Sequence, residues 1–231
     1  MNNKKIPCSC CNGYWEPVYE SQLMGSGVIP EHDKIYLKLS EESYLPKENR
    51  NLNVDGYLYD QVLSTQRTAI YANPNNKQLI IAHRGTVPTD QSDLKQDALI
   101  IAGQFDKSDR LKRALETVNE ALKKYSGYTL TNTGHSLGGR VAGEIGRRMN
   151  IQNSKVIGFN IGSSPFDIAR GIKEKIECSF SKNEKCQKLK KQNLYSTGID
   201  PVSISSLLHH GQTTLIKPES GVNVHSLKSF K

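Results

Sequence analysis

Hydrophobic and polar positions along the chain follow two periods, which predict strands that alternate with helices. Runs of consecutive apolar or β-branched residues are typical of strands that are buried on both faces. The predicted strands are 68–71, 78–83, 129–133, 155–161, 193–197 and 213–216. Strands that alternate with helices indicate a mainly parallel sheet covered by helices on both faces, so the predicted fold class is α/β.

Other segments show apolar residues at helical steps of three and four. The clearest runs from Ser108 to Tyr125, with Ser108 placed to cap the first turn. A second helix is predicted directly after Ser136. A short third helix is predicted between Ile35 and Leu45. It is expected to end there because the following proline cannot continue a helix.

The length of 231 residues suits one α/β domain with a sizeable core and is short for two. Residues 1–30 lack clear periodicity and contain several glycines and prolines, so we predict an N-terminal arm that packs on the core in part through Trp15. Residues 31–231 are predicted to form the domain, with a lysine-rich insertion around 172–192.

About half of the net charge of +8 comes from that lysine-rich stretch. Between Ile172 and Gln192 there are seven lysines and three glutamates. The stretch is interpreted either as a solvated insertion or as a site of transient contact with an anionic membrane surface. In the second case, each basic residue near the surface contributes roughly 1 kcal/mol to the free energy of membrane binding. No nucleic-acid partner is expected.

The first residues do not have the pattern that predicts an export signal. Met1 to Pro7 lead into cysteines and not into an apolar segment, and no apolar run approaches the roughly 18 residues of a membrane span. The sequence therefore predicts neither Sec-type secretion nor membrane insertion. The expected location is the cytoplasm, or a virion or host cell.

The five cysteines form two groups that do not predict a disulfide framework. Cys8, Cys10 and Cys11 are too close together to pair readily with one another, so a reducing compartment is the default. These three could ligate zinc together with Cys178 and Cys186, be S-acylated, or be plain thiols. We expect thiols, and no metal or cofactor.

The segment Gly134-His135-Ser136-Leu137-Gly138 has the form G-x-S-x-G between a predicted strand and a predicted helix. In that context the motif predicts a nucleophile elbow, a strained turn that presents the serine hydroxyl at the end of a sheet. The glycines are required because strand and helix approach too closely for side chains. Ser136 is the candidate nucleophile, and the alternative is a chance glycine–serine turn.

A serine nucleophile needs a base within hydrogen-bonding reach and a carboxylate that orients the base. Among the acidic residues after Ser136, Asp200 is favoured because it stands where a predicted strand ends and the chain turns at a proline. Asp167 is the weaker alternative, since it follows its strand at a greater distance. A structural turn-forming aspartate is the other interpretation of Asp200.

Three histidines follow Asp200 and are candidates for the base. His225 is favoured because a short helix, a turn and a strand fit between it and Asp200, so the chain can return to the same edge of the sheet. His209 and His210 leave room only for the outward helix and are predicted to line a loop or pocket.

The negative charge that develops on a substrate oxygen needs preorganised N–H donors. One donor is expected from the backbone of Leu137, directly after the candidate nucleophile. The second is expected from Arg84-Gly85-Thr86, after the strand 78–83, through its backbone or the Thr86 hydroxyl. A tight turn with a surface arginine is the alternative.

Taken in order, these motifs resemble the class 3 (fungal-type) lipases of the α/β-hydrolase fold. The compact length also resembles short lipase-like proteins of large DNA viruses and microbes. The resemblance covers roughly residues 55–231. The segments that carry it are Ala82 to Thr86, Thr133 to Gly139, Gly158 to Pro165, Asp200-Pro201 and His225.

The resemblance implies a catalytic triad of Ser136, Asp200 and His225, with Thr86 and Leu137 as oxyanion donors. It implies a single-domain α/β-hydrolase that cleaves carboxylic esters of lipids through an acyl-enzyme, without metal or cofactor. The partner expected is a lipid or another ester substrate.

The role of one segment and the reaction itself are left open. The interval 87–103 is either a lid or pocket wall that contacts acyl chains, or an ordinary core segment. The same triad also permits acyl transfer to an acceptor other than water. A catalytically silent module that binds a membrane or a protein is the third alternative.

Overall fold

The fold was obtained as a computed structural model. The residues that the structure describes are 6–7, 14–15, 27–87, 105–149, 151, 153–162, 165–181, 183–197, 211–223 and 225–230. Several predicted features lie outside these ranges. They are Cys8, Cys10, Cys11, residues 88–103 of the candidate lid, Asp200, His209 and His210.

Ten strands are described, and eight of them form one mixed sheet. They are β1 (Ile6–Pro7), β2 (Tyr14–Trp15), β3 (Asn53–Val54), β4 (Tyr57–Tyr59), β5 (Thr68–Asn73), β6 (Gln78–His83), β7 (Thr129–His135), β8 (Lys155–Phe159), β9 (Gln192–Thr197) and β10 (Gln212–Ile216). β1 and β2 pair with each other in a separate two-stranded sheet. In the large sheet every strand lies beside its neighbours in sequence, from β3 to β10.

The sheet is parallel from β6 to β10 and antiparallel from β3 to β6. The predicted α/β class is confirmed, and the parallel half contains the strands that alternate with helices. The antiparallel half follows from short connections. β5 and β6 are joined by residues 74–77, too few for the crossover that parallel strands require. β3 and β4 are joined by Asp55 and Gly56, both with positive φ, as in tight hairpin turns.

Five α-helices are described: α1 (Lys34–Glu42), α2 (Asp109–Lys124), α3 (Leu137–Arg148), α4 (Pro165–Phe180) and α5 (Glu184–Lys190). The predicted cap of α2 is confirmed, because the Ser108 hydroxyl accepts the N–H of Leu111 at 3.2 Å. Short 3₁₀ turns occur at Glu31–Asp33, Lys47–Asn49, Phe105–Lys107 and Leu227–Phe230. Within the described ranges, no helix combines the length and apolarity needed to span a membrane.

The core lies on both faces of the sheet. Alternate residues of a strand point to opposite faces, so Ile70 of β5 packs with α2 and α3, whereas Tyr71 packs with α1. The C-terminal turn also belongs to the α1 face, where Phe230 packs against Phe159 with ring centroids 5.4 Å apart. The carboxyl ends of the central parallel strands therefore lie between two packed layers.

The stretch predicted as a lysine-rich insertion is helical for most of its length, in α4 and α5. A disulfide joins Cys178 to Cys186, with the Cα atoms 5.2 Å apart. The sequence did not predict this bridge, which forms because the turn between the helices brings together residues that are eight positions apart. A cavity of about 310 Å³ adjoins the disulfide and is lined in part by Glu174, Leu189 and Gln212.

Candidate active site

The turn at Ser136 carries the backbone strain expected of a nucleophile elbow. Ser136 joins β7 to α3 with φ 55° and ψ −123°, a conformation with positive φ that non-glycine residues rarely adopt. Its N–H donates to the carbonyl of Phe159 at 3.0 Å, and its carbonyl accepts the N–H of Arg140 at 3.1 Å. The strained turn is thereby anchored to β8 and to the first turn of α3.

Two glycines allow this turn to form. A side-chain carbon at Gly134 would lie 2.5 Å from the carbonyl carbon of Gly138. A side-chain carbon at Gly138 would overlap the carbonyl oxygen of His83 at the end of β6. Such contacts are shorter than packed atoms permit, so the close approach predicted for both glycines is confirmed.

The C-terminal segment brings His225 to Ser136. The Nε2 atom of His225 lies 3.1 Å from the Oγ of Ser136, within hydrogen-bonding distance. The backbone N–H of His225 donates to Oδ1 of Asn223 at 2.9 Å, which fixes the turn that carries the imidazole. The structure therefore brings together the candidate nucleophile and the favoured candidate base, although they are 89 positions apart.

A second histidine supports the backbone of His225. The Nε2 atom of His135 lies 2.6 Å from the carbonyl oxygen of His225, and a carbonyl can only accept, so Nε2 carries the proton. In the neutral ring Nδ1 then accepts, and the Tyr44 hydroxyl 2.8 Å away donates to it. The two imidazole rings also lie against each other, with centroids 5.0 Å apart. Tyr44 and His135 thus hold the segment of the candidate base against the elbow.

A buried asparagine connects the ends of two strands and the C-terminal turn at the same edge of the sheet. Asn160 follows β8 with φ 43°, and its Oδ1 accepts the N–H of Thr197 at 2.9 Å while its Nδ2 donates to the Thr197 hydroxyl at 3.0 Å. The Thr197 hydroxyl lies 3.0 Å from that of Ser229. Asn160 therefore ties the end of β9, which leads towards Asp200, to the C-terminal turn that follows His225.

The predicted oxyanion turn lies directly beside the elbow. A side-chain carbon at Gly85 would overlap the hydroxyl of Tyr44 and lie 2.6 Å from the carbonyl oxygen of His135. Arg110 of α2 donates to the carbonyl of Arg84 and braces the turn from its other side. Thr86 is half-buried, and Leu137 is buried at the start of α3.

The residue before this turn is a buried neutral histidine. His83 is 1% exposed, and its Nε2 lies 3.2 Å from Oδ1 of Asn132. Burial lowers the pKa of His83 to about 4, and the nearby charge of Arg110 acts in the same direction. His83 is therefore uncharged at neutral pH and donates a hydrogen bond to Asn132.

Behind the elbow, α3 carries a buried ionic cluster. The Arg140 side chain is 2% exposed and bonds at 2.6 Å to both Glu144 and Asp167. Arg170 bonds to the same two carboxylates, at 2.7 Å and 3.0 Å. Burial opposes the charge on Glu144, but the attraction of Arg140, Arg147 and Arg170 outweighs it and holds the pKa of this carboxyl well below its usual range. Asp167, the weaker candidate for the acid, is thus committed to ion pairs with Arg140 and Arg170.

The structure describes four of the five predicted site residues, and Asp200 lies outside the described ranges. The sequence did not single out Tyr44 or Asn160. The signal for Asn160 was its place in the Gly158–Pro165 segment, one of those that carry the family resemblance. Nothing in the sequence marks Tyr44, which lies 91 positions from its partner His135.

In the portion of the chain that the structure describes, no three His, Cys, Asp or Glu side chains converge as a metal site. Cys178 and Cys186, which the sequence left open as zinc ligands, are bonded to each other. A site that combines them as thiolates with the N-terminal cysteines is therefore excluded in this disulfide form.

The fold of the chain resembles that of several solved structures. No protein-family model matches the sequence, and no curated protein matches it. The MDLA structure from Penicillium cyclopium is similar with a TM-score of 0.54 and 15% identity, over 87% of this chain and 84% of that one. A fungal lipase has a TM-score of 0.52 and 15% identity, over 89% of this chain and 87% of that one. The Lip2 lipase of Yarrowia lipolytica has a TM-score of 0.51 and 12% identity, over 89% of this chain and 84% of that one. Over most of its length, the chain therefore has the α/β-hydrolase fold of the fungal lipases.

Proposed function

We propose that this protein is a serine hydrolase that cleaves carboxylic esters of lipids through an acyl-enzyme. The observation that carries the proposal is the 3.1 Å contact between Ser136 Oγ and His225 Nε2 on a strained elbow. A serine hydroxyl is a weak nucleophile unless a base accepts its proton, and this contact supplies the base. The fold shared with fungal lipases supports the same assignment at the level of architecture.

In the first half of the proposed reaction, Ser136 Oγ attacks the ester carbonyl carbon and its proton passes to His225 Nε2. The tetrahedral intermediate then collapses, the bond to the alcohol oxygen breaks, and His225 returns the proton to the leaving alcohol. In the second half, His225 takes a proton from water, and the hydroxide attacks the acyl carbon. The bond to Ser136 Oγ then breaks, His225 returns the proton to that oxygen, and the carboxylic acid is released. Asp200 is proposed to orient His225 and to stabilise its charged form.

The oxyanion of each tetrahedral intermediate is proposed to accept hydrogen bonds from the Leu137 N–H and from Thr86. Leu137 begins α3, and the N-terminus of a helix has unpaired N–H groups and a favourable dipole for negative charge. The position of Gly85 against the carbonyl of His135 keeps the turn of Thr86 beside the elbow. Removing one such donor typically costs about 3 kcal/mol of transition-state stabilisation.

Labelling with a fluorophosphonate tests the nucleophile, because this reagent forms a covalent bond only with an activated serine. We expect the wild-type protein to be labelled, and Ser136→Ala to lose labelling and about 10⁴-fold or more of its activity on p-nitrophenyl esters. Ser179→Ala is the matched control, since Ser179 is exposed on α4. Absence of Ser136-dependent labelling on folded protein would contradict the proposal and favour the silent binding module.

The competing acyl-transfer reaction is distinguished by its kinetics. A hydrolase releases p-nitrophenol continuously, because water resolves the acyl-enzyme. A transferase releases one equivalent in a burst and then needs an added alcohol or amine acceptor for turnover. Esters of increasing acyl length, tested in the same assay, give the substrate preference.

A further inference from the structure

Helix α4 has its polar and apolar faces reversed with respect to the protein interior. Its inward face carries charged residues, of which Asp167 is 6% exposed and Glu174 is 4% exposed. Its outward face carries isoleucines and a phenylalanine. A surface helix of a globular protein normally buries its apolar stripe and exposes its charges, so this arrangement calls for a physical explanation.

The inward charges are stabilised by partners on other helices. Asp167 is paired with Arg140 of α3 at 2.6 Å, and Arg170 is paired with Glu144 at 2.7 Å. Glu174 lies 3.6 Å from Lys185 of α5, and the disulfide cross-links the two helices one turn further along. These contacts hold α4 firmly in one rotational setting about its axis.

That setting leaves an apolar stripe in solvent, formed by Ile172, Ile176 and Phe180. Their exposed fractions are 42%, 58% and 90%. Residues four apart advance by only about 40° around a helix, so the three side chains lie on one face. Large apolar side chains gathered on one exposed helix face mark an interaction site, whereas single ones scattered over a surface do not.

The net charge beside the stripe is positive. Lys173 and Lys175 are exposed and lie on either side of the stripe on the helical projection. Of the acidic residues of α4, Asp167 and Glu174 are buried on its inward face. Glu177 lies on the same side of the helix as Lys173, and its charge is paired with Lys185 at 3.0 Å. An apolar stripe bordered by lysines complements an anionic lipid surface, where apolar groups enter the acyl boundary and ammonium groups meet phosphates.

We propose that α4 lies on an anionic lipid bilayer through Ile172, Ile176 and Phe180, with Lys173 and Lys175 at the level of the headgroups. A second copy of the chain is a poorer occupant, because two such faces would bring lysines against lysines. The basic charge of this region is evident from the sequence, whereas the exposed apolar face that would enter the bilayer is evident only from the structure. The proposal does not depend on hydrolysis, since it concerns a surface formed without Ser136 or His225.

Binding is tested by sedimentation with vesicles of phosphatidylcholine and phosphatidylserine in a 70:30 ratio. Ser136→Ala is the starting protein in every arm, so that hydrolysis cannot alter the vesicles. We expect the variant Ile172→Ser/Ile176→Ser/Phe180→Ser to bind at least about tenfold more weakly. The matched control is Leu52→Ser/Leu58→Ser/Val62→Ser, whose side chains are 62%, 48% and 83% exposed and lie before α2.

The charged border is tested separately. We expect Lys173→Gln/Lys175→Gln to weaken binding to the vesicles, and we expect this difference from the starting protein to become smaller at high salt. The control Lys112→Gln/Lys123→Gln changes the net charge by the same amount and should have little effect on binding. The proposal is overturned if the starting protein does not sediment with the vesicles, or if the stripe variant binds as the control does. It is also overturned if the stripe variant converts an oligomer into a monomer while vesicle binding is unchanged.

Discussion

Helices α3 and α4 leave neighbouring strands at the same edge of the sheet, yet they place their apolar residues in opposite directions. α3 follows β7 and is buried continuously from Leu137 to Ile145. α4 follows β8, buries carboxylates and exposes Ile176 and Phe180. Apolar packing against the sheet holds the first helix, whereas ion pairs and a disulfide hold the second.

The ionic cluster between the two helices explains how both arrangements coexist. Arg140 and Glu144 belong to α3, and Asp167 and Arg170 belong to α4. Because these charges satisfy one another, α4 does not need its apolar side chains to stay attached. The region around Ser136 is therefore fixed from several directions, and the outward face of α4 is left available for other contacts.

Breaking the ionic cluster should have the largest effect on stability. Removal of one partner from a buried ion pair leaves an uncompensated charge and typically costs about 3–5 kcal/mol. We expect Glu144→Ala to lower the free energy of unfolding in urea by this amount, because Glu144 faces four arginines. The exposed Glu120→Ala on α2 is the control. A loss below about 1 kcal/mol would mean that the cluster does not hold the two helices together.

The contribution of His83 to stability should depend on pH, and its size should be somewhat smaller than the loss expected for Glu144→Ala. Its pKa is about 4 in the folded protein and about 6.5 when unfolded, so only the unfolded chain takes up a proton between these values. Its stabilising contribution is complete above pH 6.5 and is lost as the pH falls towards 4, in total about 3 kcal/mol.

His83→Gln should therefore be less sensitive to pH in that window than the wild-type protein. Urea unfolding at several pH values between 7 and 4 measures the difference, and His32→Gln, at an exposed position, is the control. Equal slopes for His83→Gln and the wild type would show that His83 is accessible to protons in the folded state.

Loss of the hydrogen bond that supports the segment of His225 should have a moderate effect on catalysis. This prediction rests on the proposed hydrolase activity. Tyr44→Phe removes the hydroxyl that donates to His135 and loosens the segment of His225. We expect kcat to fall about tenfold with KM nearly unchanged, because positioning is lost and substrate contacts are kept. Tyr128→Phe, a conservative change on the far side of the sheet, should retain activity. A change in KM alone would place Tyr44 in substrate binding.

The elbow could be predicted from sequence because its chemistry is local. Gly134, Ser136 and Gly138 lie within five positions, and the close approach that excludes side chains occurs in that turn. The same holds for α2, where Ser108 caps a helix with regular apolar spacing. Contacts such as Tyr44 to His135 join residues 91 positions apart, and no local pattern encodes them.

The orientation of α4 could not be predicted for a related reason. Ile172, Ile176 and Phe180 have the spacing of an apolar face, and the usual expectation is that such a face turns inward. The reversal depends on Arg140 and Glu144, which belong to another helix and become partners only in the folded chain. Strands β3 and β4 were missed because each has only two or three residues, too few to show a period.

The outward face of α4 should contribute least to folding, and this gives the sharpest test of the contrast between the two helices. If ion pairs and the disulfide hold α4, Ile176→Ser should change the free energy of unfolding by less than about 0.5 kcal/mol. Val141→Ser on α3 should cost several times more, because Val141 is fully buried and a hydroxyl would enter the core. Urea unfolding of both variants measures the ratio directly. A large loss for Ile176→Ser would show that the stripe packs within its own chain, and that result would remove the basis for lipid contact as well.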